Sequence, residues 1–302
     1  MKDFISIHDL SAAQVEEIFK LARELKKDKL QPKLKGKSLA LIFEKPSTRT
    51  RVSFEVGMYQ LGGNTVHLST RAVQLGVRES IADVAQTLSR YVDGVMLRTF
   101  DHKNLIEFAH HASIPVINGL SDLLHPCQAL ADVFTILEKK KTKSLKVAYI
   151  GDGNNVCHSL MLAAPKVGMN LTVAAPKGFE PNEKIVKLAF EDAKKAGVEI
   201  TILNDPVIAA KDADVIYTDV WASMGQEKEE QKRKAKFKDF QVNEKLVSHA
   251  KPDYMFLHCL PAHRGLEVTS SVIDSENSAV FDQAENRLHV QKAILLKLMG
   301  GQ

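Results

Sequence analysis

Cysteine is scarce in this 302-residue chain: Cys127, Cys157 and Cys259 are odd in number and match no zinc-ligand spacing. That excludes a disulfide-built scaffold and a structural zinc knuckle, and fits thiols kept reduced. No run approaches the ~18 uncharged apolar residues that a membrane-spanning helix needs, and Met1-Lys2-Asp3-Phe4 lacks the long apolar core of a secretory leader. A cytoplasmic location is therefore expected, with no membrane partner. Aromatic residues are only 6% of the chain and form no stripe interleaved with basic ones, so a nucleic-acid partner is not expected either. With 16 Gly and 10 Pro, low-complexity and collagen-like chains are excluded.

What is present is ordinary globular composition, 44% hydrophobic and 26% charged. At roughly 150 residues per domain the length suggests two domains. The 41 Lys and Arg against 37 Asp and Glu leave a charge of +4, which leaves anionic small molecules open as ligands.

Ser11 precedes the apolar series Val15, Ile18, Phe19, Ala22, Leu25, with Gln14 three positions on, a capping box that opens an amphipathic helix. Ser80 and Asp83 give a second such signal. From Ser38, short apolar runs alternate with helical patterns: strands near Leu39 to Phe43, Thr65 to Leu68, Gly94 to Leu97 and Pro115 to Ile117. After the Lys-rich stretch from Glu138 to Lys146 the alternation resumes, with strands near Val147 to Ile150, Leu171 to Ala174, Ile200 to Leu203, Val215 to Thr218 and Tyr254 to Leu257. The pattern predicts an α/β protein of two doubly wound parallel-sheet domains, 1–140 and 146–282, with a cleft between them. A final helix in 283–302 is expected to pack back on the first domain. Lysines 139, 140, 141 and 143 read as a solvated helix end and linker. The polar stretch Ser223 to Asp239 has two readings, an idle insertion or a lid.

The chemically conspicuous residues follow the predicted strands, and in open α/β sheets ligands bind outside the carboxyl ends of strands. Lys45-Pro46-Ser47-Thr48-Arg49-Thr50-Arg51 leaves a strand and enters a helix, so hydroxyls, guanidiniums and helix N-terminal amides can converge on a small anion. Arg98 ends an apolar strand, from which it can hold an anion, reach solvent or pair with Asp101. His125-Pro126-Cys127-Gln128 opens a helix, where a neutral imidazole or an amide can hydrogen-bond a carbonyl; Cys127 reads as buried packing. Gly151-Asp152-Gly153-Asn154-Asn155-Val156 resembles a dinucleotide fingerprint only in part, since Val156 stands at the third glycine position, and its asparagines can instead hold a polar ligand. His258-Cys259-Leu260-Pro261 offers a thiol and backbone groups to a substrate, and no second cluster completes a metal site.

Together these residues resemble the aspartate/ornithine carbamoyltransferase family over essentially the whole chain. Ser47-Thr48-Arg49-Thr50 and His125-Pro126-Cys127-Gln128 look like its two shared signatures; Asp219 with Ser223-Met224-Gly225, and His258-Cys259-Leu260-Pro261, look like its ornithine branch. The resemblance implies carbamoyl transfer from carbamoyl phosphate to the side-chain amine of ornithine, giving citrulline and phosphate, without metal or cofactor. It places Ser47, Thr48, Arg49, Thr50, Arg98, His125, Gln128, Cys259, Leu260 and Arg287 at carbamoyl phosphate positions, with Gln74 reaching the ligand from a neighbouring subunit of a trimer. Asn155, Asp219, Ser223 and Met224 match ornithine positions. Arg98, His125, Cys259 and Asp219 are the expected catalytic residues.

Overall fold

The structure, a computed structural model, describes residues 1–69, 79–222 and 230–301. It divides into two compact units, one formed by Met1–Cys127 with Arg287–Gln302 and the other by Gln128–Asn286.

In unit 1 the strands β1 (Ser38–Phe43), β2 (Asn64–Ser69), β3 (Gly94–Arg98) and β4 (Val116–Leu120) form a sheet of order β2-β1-β3-β4. All its pairings are parallel. Around it run α1 (Ala12–Lys27), α2 (Thr48–Gln60), α3 (Ile81–Leu88) and α4 (His102–His111). The Ser11 capping box forms as expected, Ser11 Oγ accepting from Gln14 N at 3.2 Å and Gln14 Oε1 from Ser11 N at 2.9 Å. It aims the Val15, Ile18, Phe19, Ala22, Leu25 stripe into the core. At Ser80 only the first half of the box is seen, Asp83 N donating to Ser80 Oγ at 3.0 Å. β3 is buried along its whole length, as a central parallel strand covered on both faces must be. Before α1 the chain makes a short 3-10 turn at Ile7–Asp9, and ahead of that Phe4 pairs with Ile117 of β4, a contact the helical start of the sequence does not suggest.

Unit 2 contains β5 (Lys146–Ile150), β6 (Asn170–Ala174), β7 (Ile200–Leu203), β8 (Val215–Thr218) and β9 (Met255–His258), in the order β7-β6-β5-β8-β9 and again parallel. Long helix α5 (Pro126–Lys140) begins at the division between units. It is followed by α6 (Asn155–Val167), α7 (Glu183–Ala196), α8 (Pro206–Ala210), α9 (Glu230–Phe237), α10 (Glu244–Val247) and α11 (Ser270–Ile273). The last helix, α12 (Val280–Met299), begins in unit 2 and ends in unit 1. The fold class and each expected strand are thus found, within a residue or two at the ends except for β4, which runs three residues past Ile117 to Leu120.

The stretch from Ser223 to Asp239 is not one long polar loop. From Glu230 onward it is α9 and a short 3-10 turn, with Phe237 and Phe240 buried in the core of unit 2. The Phe237 ring stands 4.9 Å from that of Phe179 and 5.8 Å from that of Trp221. Arg233, one turn earlier on the same helix, is buried against Asp152 at 2.9 Å and donates to the Trp221 carbonyl at 2.7 Å. A single aromatic and a buried guanidinium hold a helix whose composition is otherwise polar. Ser223 and Met224 lie outside the described residues. The lysines after Glu138 are partly paired, Lys139 with Asp282 at 2.8 Å and Lys140 with Asp253 at 3.1 Å.

Candidate functional site

In a doubly wound sheet the crevice opens where consecutive connections leave in opposite directions. In unit 1 that point lies between β1 and β3; in unit 2, between β5 and β8. The singled-out residues gather at these two places.

In unit 1 the loop after β1 turns into α2 with Ser47 as its cap, Ser47 Oγ accepting from Thr50 N at 3.2 Å. This leaves the first amides of α2 without helical acceptors, next to Thr48 and Arg49. Glu44 ties the loop to the end of β3, its carboxylate accepting from Thr99 Oγ1 and from Phe100 N. Arg98, at the last position of β3, is buried rather than reaching solvent, and its Nη1 lies 3.3 Å from Thr50 Oγ1. Arg287, from α12, brings Nη2 to 3.2 Å from the same oxygen. His125 is buried close enough to Arg287, Arg98 and Arg49 to feel their charge. Burial first, then those three guanidiniums, holds its imidazole well below the usual histidine range. Seven expected residues, Ser47, Thr48, Arg49, Thr50, Arg98, His125 and Arg287, thus share one cationic corner. Arg51 turns away to Glu55 at 2.9 Å. Gln74 lies outside the described residues.

In unit 2, Asn154 caps α6 with its Oδ1, which accepts from Val156 N at 3.0 Å and Cys157 N at 3.1 Å. Its Nδ2 donates to Asp219 Oδ2 at 2.7 Å, and Cys259 Sγ lies 2.9 Å from Asp219 Oδ1. The residues that follow β5, β8 and β9 therefore meet on one carboxylate. Asn154, which carries no expected role, makes this contact; Asn155, expected at an ornithine position, is buried beside it at the first turn of α6. Leu260 has φ +59°, and its N–H donates to His258 Nδ1 at 2.8 Å, so the ring's proton sits on Nε2, facing Glu267 Oε1 at 3.2 Å. Asp219, His258 and Cys259 bring potential metal-ligating atoms within 4.8 Å of one another. Here both ring nitrogens are engaged by protein groups, and an Asn154 N–H points at the carboxylate. That donor set suits an organic cation better than a metal ion.

The second glycine of the partial fingerprint, Gly153, has another explanation. A Cβ on Gly153 would stand 2.3 Å from Pro181 N and 2.4 Å from Glu180 C, so the position is glycine because another backbone passes against it. Cys127 and Cys157 are buried. Burial pushes the Cys127 thiol up to about 12 and the Cys157 thiol well above its usual range, which makes both inert.

Gln128 begins unit 2 and is buried, with Nε2 2.7 Å from Asp132 Oδ1. Sequence reasoning missed Asp132, Tyr217 and Gln283 around it. The signal available was spacing: Gln128 and Asp132 stand four apart on one helix face.

Family models match almost the whole chain. Residues 2–138 match the carbamoyl-P binding domain of aspartate/ornithine carbamoyltransferase, and residues 143–298 match its Asp/Orn binding domain. The chain belongs to this family. It is 58% identical to an ornithine carbamoyltransferase of Thermococcus kodakarensis, over 99% of this chain and 97% of that one. It is 57% identical to an anabolic ornithine carbamoyltransferase of Pyrococcus furiosus, over 99% and 97%. A solved structure of ornithine carbamoyltransferase from Pyrococcus furiosus superposes with a TM-score of 0.97 at 56% identity, covering 100% of this chain and 98% of that one. Among the described residues, no helix is long and apolar enough to cross a membrane.

Proposed function

We propose that the chain transfers the carbamoyl group of carbamoyl phosphate to the side-chain amine of L-ornithine, releasing L-citrulline and phosphate, as a step of arginine biosynthesis in the cytoplasm. The observation that carries this reading is the convergence of Arg98 and Arg287 on Thr50 beside a neutral His125. A phosphate leaving group needs guanidinium partners, and a carbonyl under attack needs donors for its developing oxyanion.

Arg49 and Arg98, with Arg287 and the capped start of α2, hold the phosphoryl oxygens. Thr50 Oγ1 already accepts from two guanidiniums, so both its lone pairs are used and its proton is left to donate toward the substrate. His125, kept neutral, donates an N–H to the carbonyl oxygen. The carbamoyl NH2 needs acceptors, which the Gln128 amide oxygen and the Leu260 backbone supply.

Asp219 pairs with the α-ammonium of ornithine, joined by Asn155 and by Ser223 and Met224, and Cys259 orients the same carboxylate. The distal amine attacks only when neutral, a form that neighbouring cations favour. The C–N bond forms, the C–O bond to phosphate breaks, and the amine's proton leaves with the phosphate. Assaying ureido-product formation across ornithine, putrescine, aspartate and acetylornithine tests the reading. Ornithine alone should be turned over, and equal turnover of putrescine would remove Asp219 from substrate recognition.

We also infer a homotrimer with shared sites. Val52 and Tyr59 on α2 and Val66 on the edge strand β2 expose apolar surface in unit 1, which suits burial against a second copy. Gln74 follows just beyond β2. Mixing inactive Gln74→Ala and Arg98→Met chains should restore activity through hybrid sites; no recovery from a mixed oligomer would exclude sharing.

A further inference from the structure

A primary amide offers donors on one side and an acceptor on the other, so whatever holds one side decides what the other presents. In unit 2 two glutamines turn their nitrogens onto one carboxylate. Gln128 Nε2 and Gln283 Nε2 each lie 2.7 Å from Asp132 Oδ1, and Tyr217 OH lies 3.0 Å from Oδ2. Asp132 is completely buried. Burial, and then the charge of Asp132, pushes the Tyr217 phenol well above its usual range, so the phenol keeps its proton and donates it. Gln283 Nε2 also reaches Tyr217 OH at 3.1 Å, while its Oε1, facing the other way, accepts from His258 N at 3.0 Å. Three donors thus converge on the Asp132 carboxylate, two on Oδ1 and one on Oδ2.

We propose that Asp132 is a positioning residue for recognition of the carbamoyl nitrogen. By taking the Gln128 NH2 it turns the Gln128 carbonyl oxygen toward the substrate, as an acceptor for the carbamoyl NH2. By taking the Gln283 NH2 it presents the Gln283 oxygen to His258 N, and so fixes the backbone that leads into Cys259 and Leu260. A single buried carboxylate thereby sets two acceptors, and the site prefers an acyl phosphate bearing NH2 to one bearing CH3. This rests on the reading of Gln128 as a carbamoyl ligand.

Acetyl phosphate keeps the phosphate and carbonyl of carbamoyl phosphate but lacks the NH2, so it is the discriminating probe, with inorganic phosphate as the anion control. Affinities for all three are measured in the wild type, Asp132→Asn, Gln128→Met and the double variant, beside melting curves. The wild type should prefer carbamoyl over acetyl phosphate by about tenfold or more, the worth of one well-made hydrogen bond. Each single variant should lose most of that preference, the double variant no more than either, and phosphate affinity should change by less than about twofold.

If Gln128→Met keeps the preference, the reading of Gln128 itself fails. If Gln128→Met loses it and Asp132→Asn keeps it, or if Asp132→Asn weakens all three ligands alike, the role proposed for Asp132 is overturned. Should Asp132→Asn not fold, the wild type decides. The Gln128 side-chain NH2 resonances, identified by their loss in Gln128→Met, should exchange with solvent equally slowly before and after carbamoyl phosphate binds. Protection that appears only on binding would put the nitrogen on the ligand and overturn the proposal.

Discussion

Asn154 Nδ2 and Asp219 Oδ2 lie 2.7 Å apart, so the carboxylate expected to choose the amino-acid substrate is already oriented from the start of α6. Asp219→Asn keeps the shape and loses the charge. We expect a fall of about 1.5 to 3 kcal/mol in kcat/KM for ornithine, roughly 10- to 150-fold, with carbamoyl phosphate affinity little changed. Because Asn154 and Cys259 both use this carboxylate, melting should show a further loss of about 1 kcal/mol. Unchanged ornithine kinetics would exclude Asp219 from the site.

His125 is neutral when folded, and the unfolded chain takes up its proton below about pH 6.5. Its contribution to stability is therefore complete above that pH and is lost as pH falls toward the lowered folded value, at up to about 1.4 kcal/mol per pH unit. Urea midpoints at pH 7.5 and 5.5 should converge in His125→Gln more than in the wild type. Some slope will remain from His102, whose burial also lowers its pKa. Parallel loss in both proteins would mean that His125 is charged in the native state.

Arg233 and Asp152 form a buried ion pair that fastens α9 to the loop after β5. Removing one partner leaves a buried charge, so Arg233→Met should cost about 3 to 5 kcal/mol, with Asp152→Asn recovering part of it. Hydrogen exchange across residues 230–237 should be slow without any ligand. Protection gained only when both substrates are bound would restore the whole 223–239 stretch to the role of lid.

Gly153→Ala places a methyl group against the backbone of Glu180 and Pro181, which cannot yield as a side-chain tip would. We expect a loss of about 1 to 3 kcal/mol on thermal unfolding. A neutral substitution would show that this loop moves freely.

The strands were legible because a buried parallel strand is a short apolar run closed by polar loop residues, as Val95 to Leu97 before Arg98 and Val215 to Thr218 before Asp219 illustrate. The same rule marked the candidate site residues, since an ionisable side chain straight after such a run sits at the edge of the sheet where ligands bind in open α/β folds. Asp132 and Gln283 gave no such signal. A polar residue within a helix reads as solvent-facing unless its partner is known, and 151 residues separate these two. Arg233 was hidden likewise, its helix so polar that only Phe237 betrays a buried side.

Arg287 gives the cationic corner of unit 1 a dependence on the far end of the chain. It belongs to the same compact unit as Thr50, yet 237 residues separate the two, and the family model for the carbamoyl-P binding domain ends at residue 138. That cationic corner is accordingly not a portable module. A gene segment encoding only that stretch would carry Arg49, Arg98 and His125 but lack the second guanidinium on Thr50. Recombination between relatives that exchanged the amino-terminal half alone would set one parent's Thr50 against the other parent's residue at position 287, so the contact survives only where both parents keep its two ends.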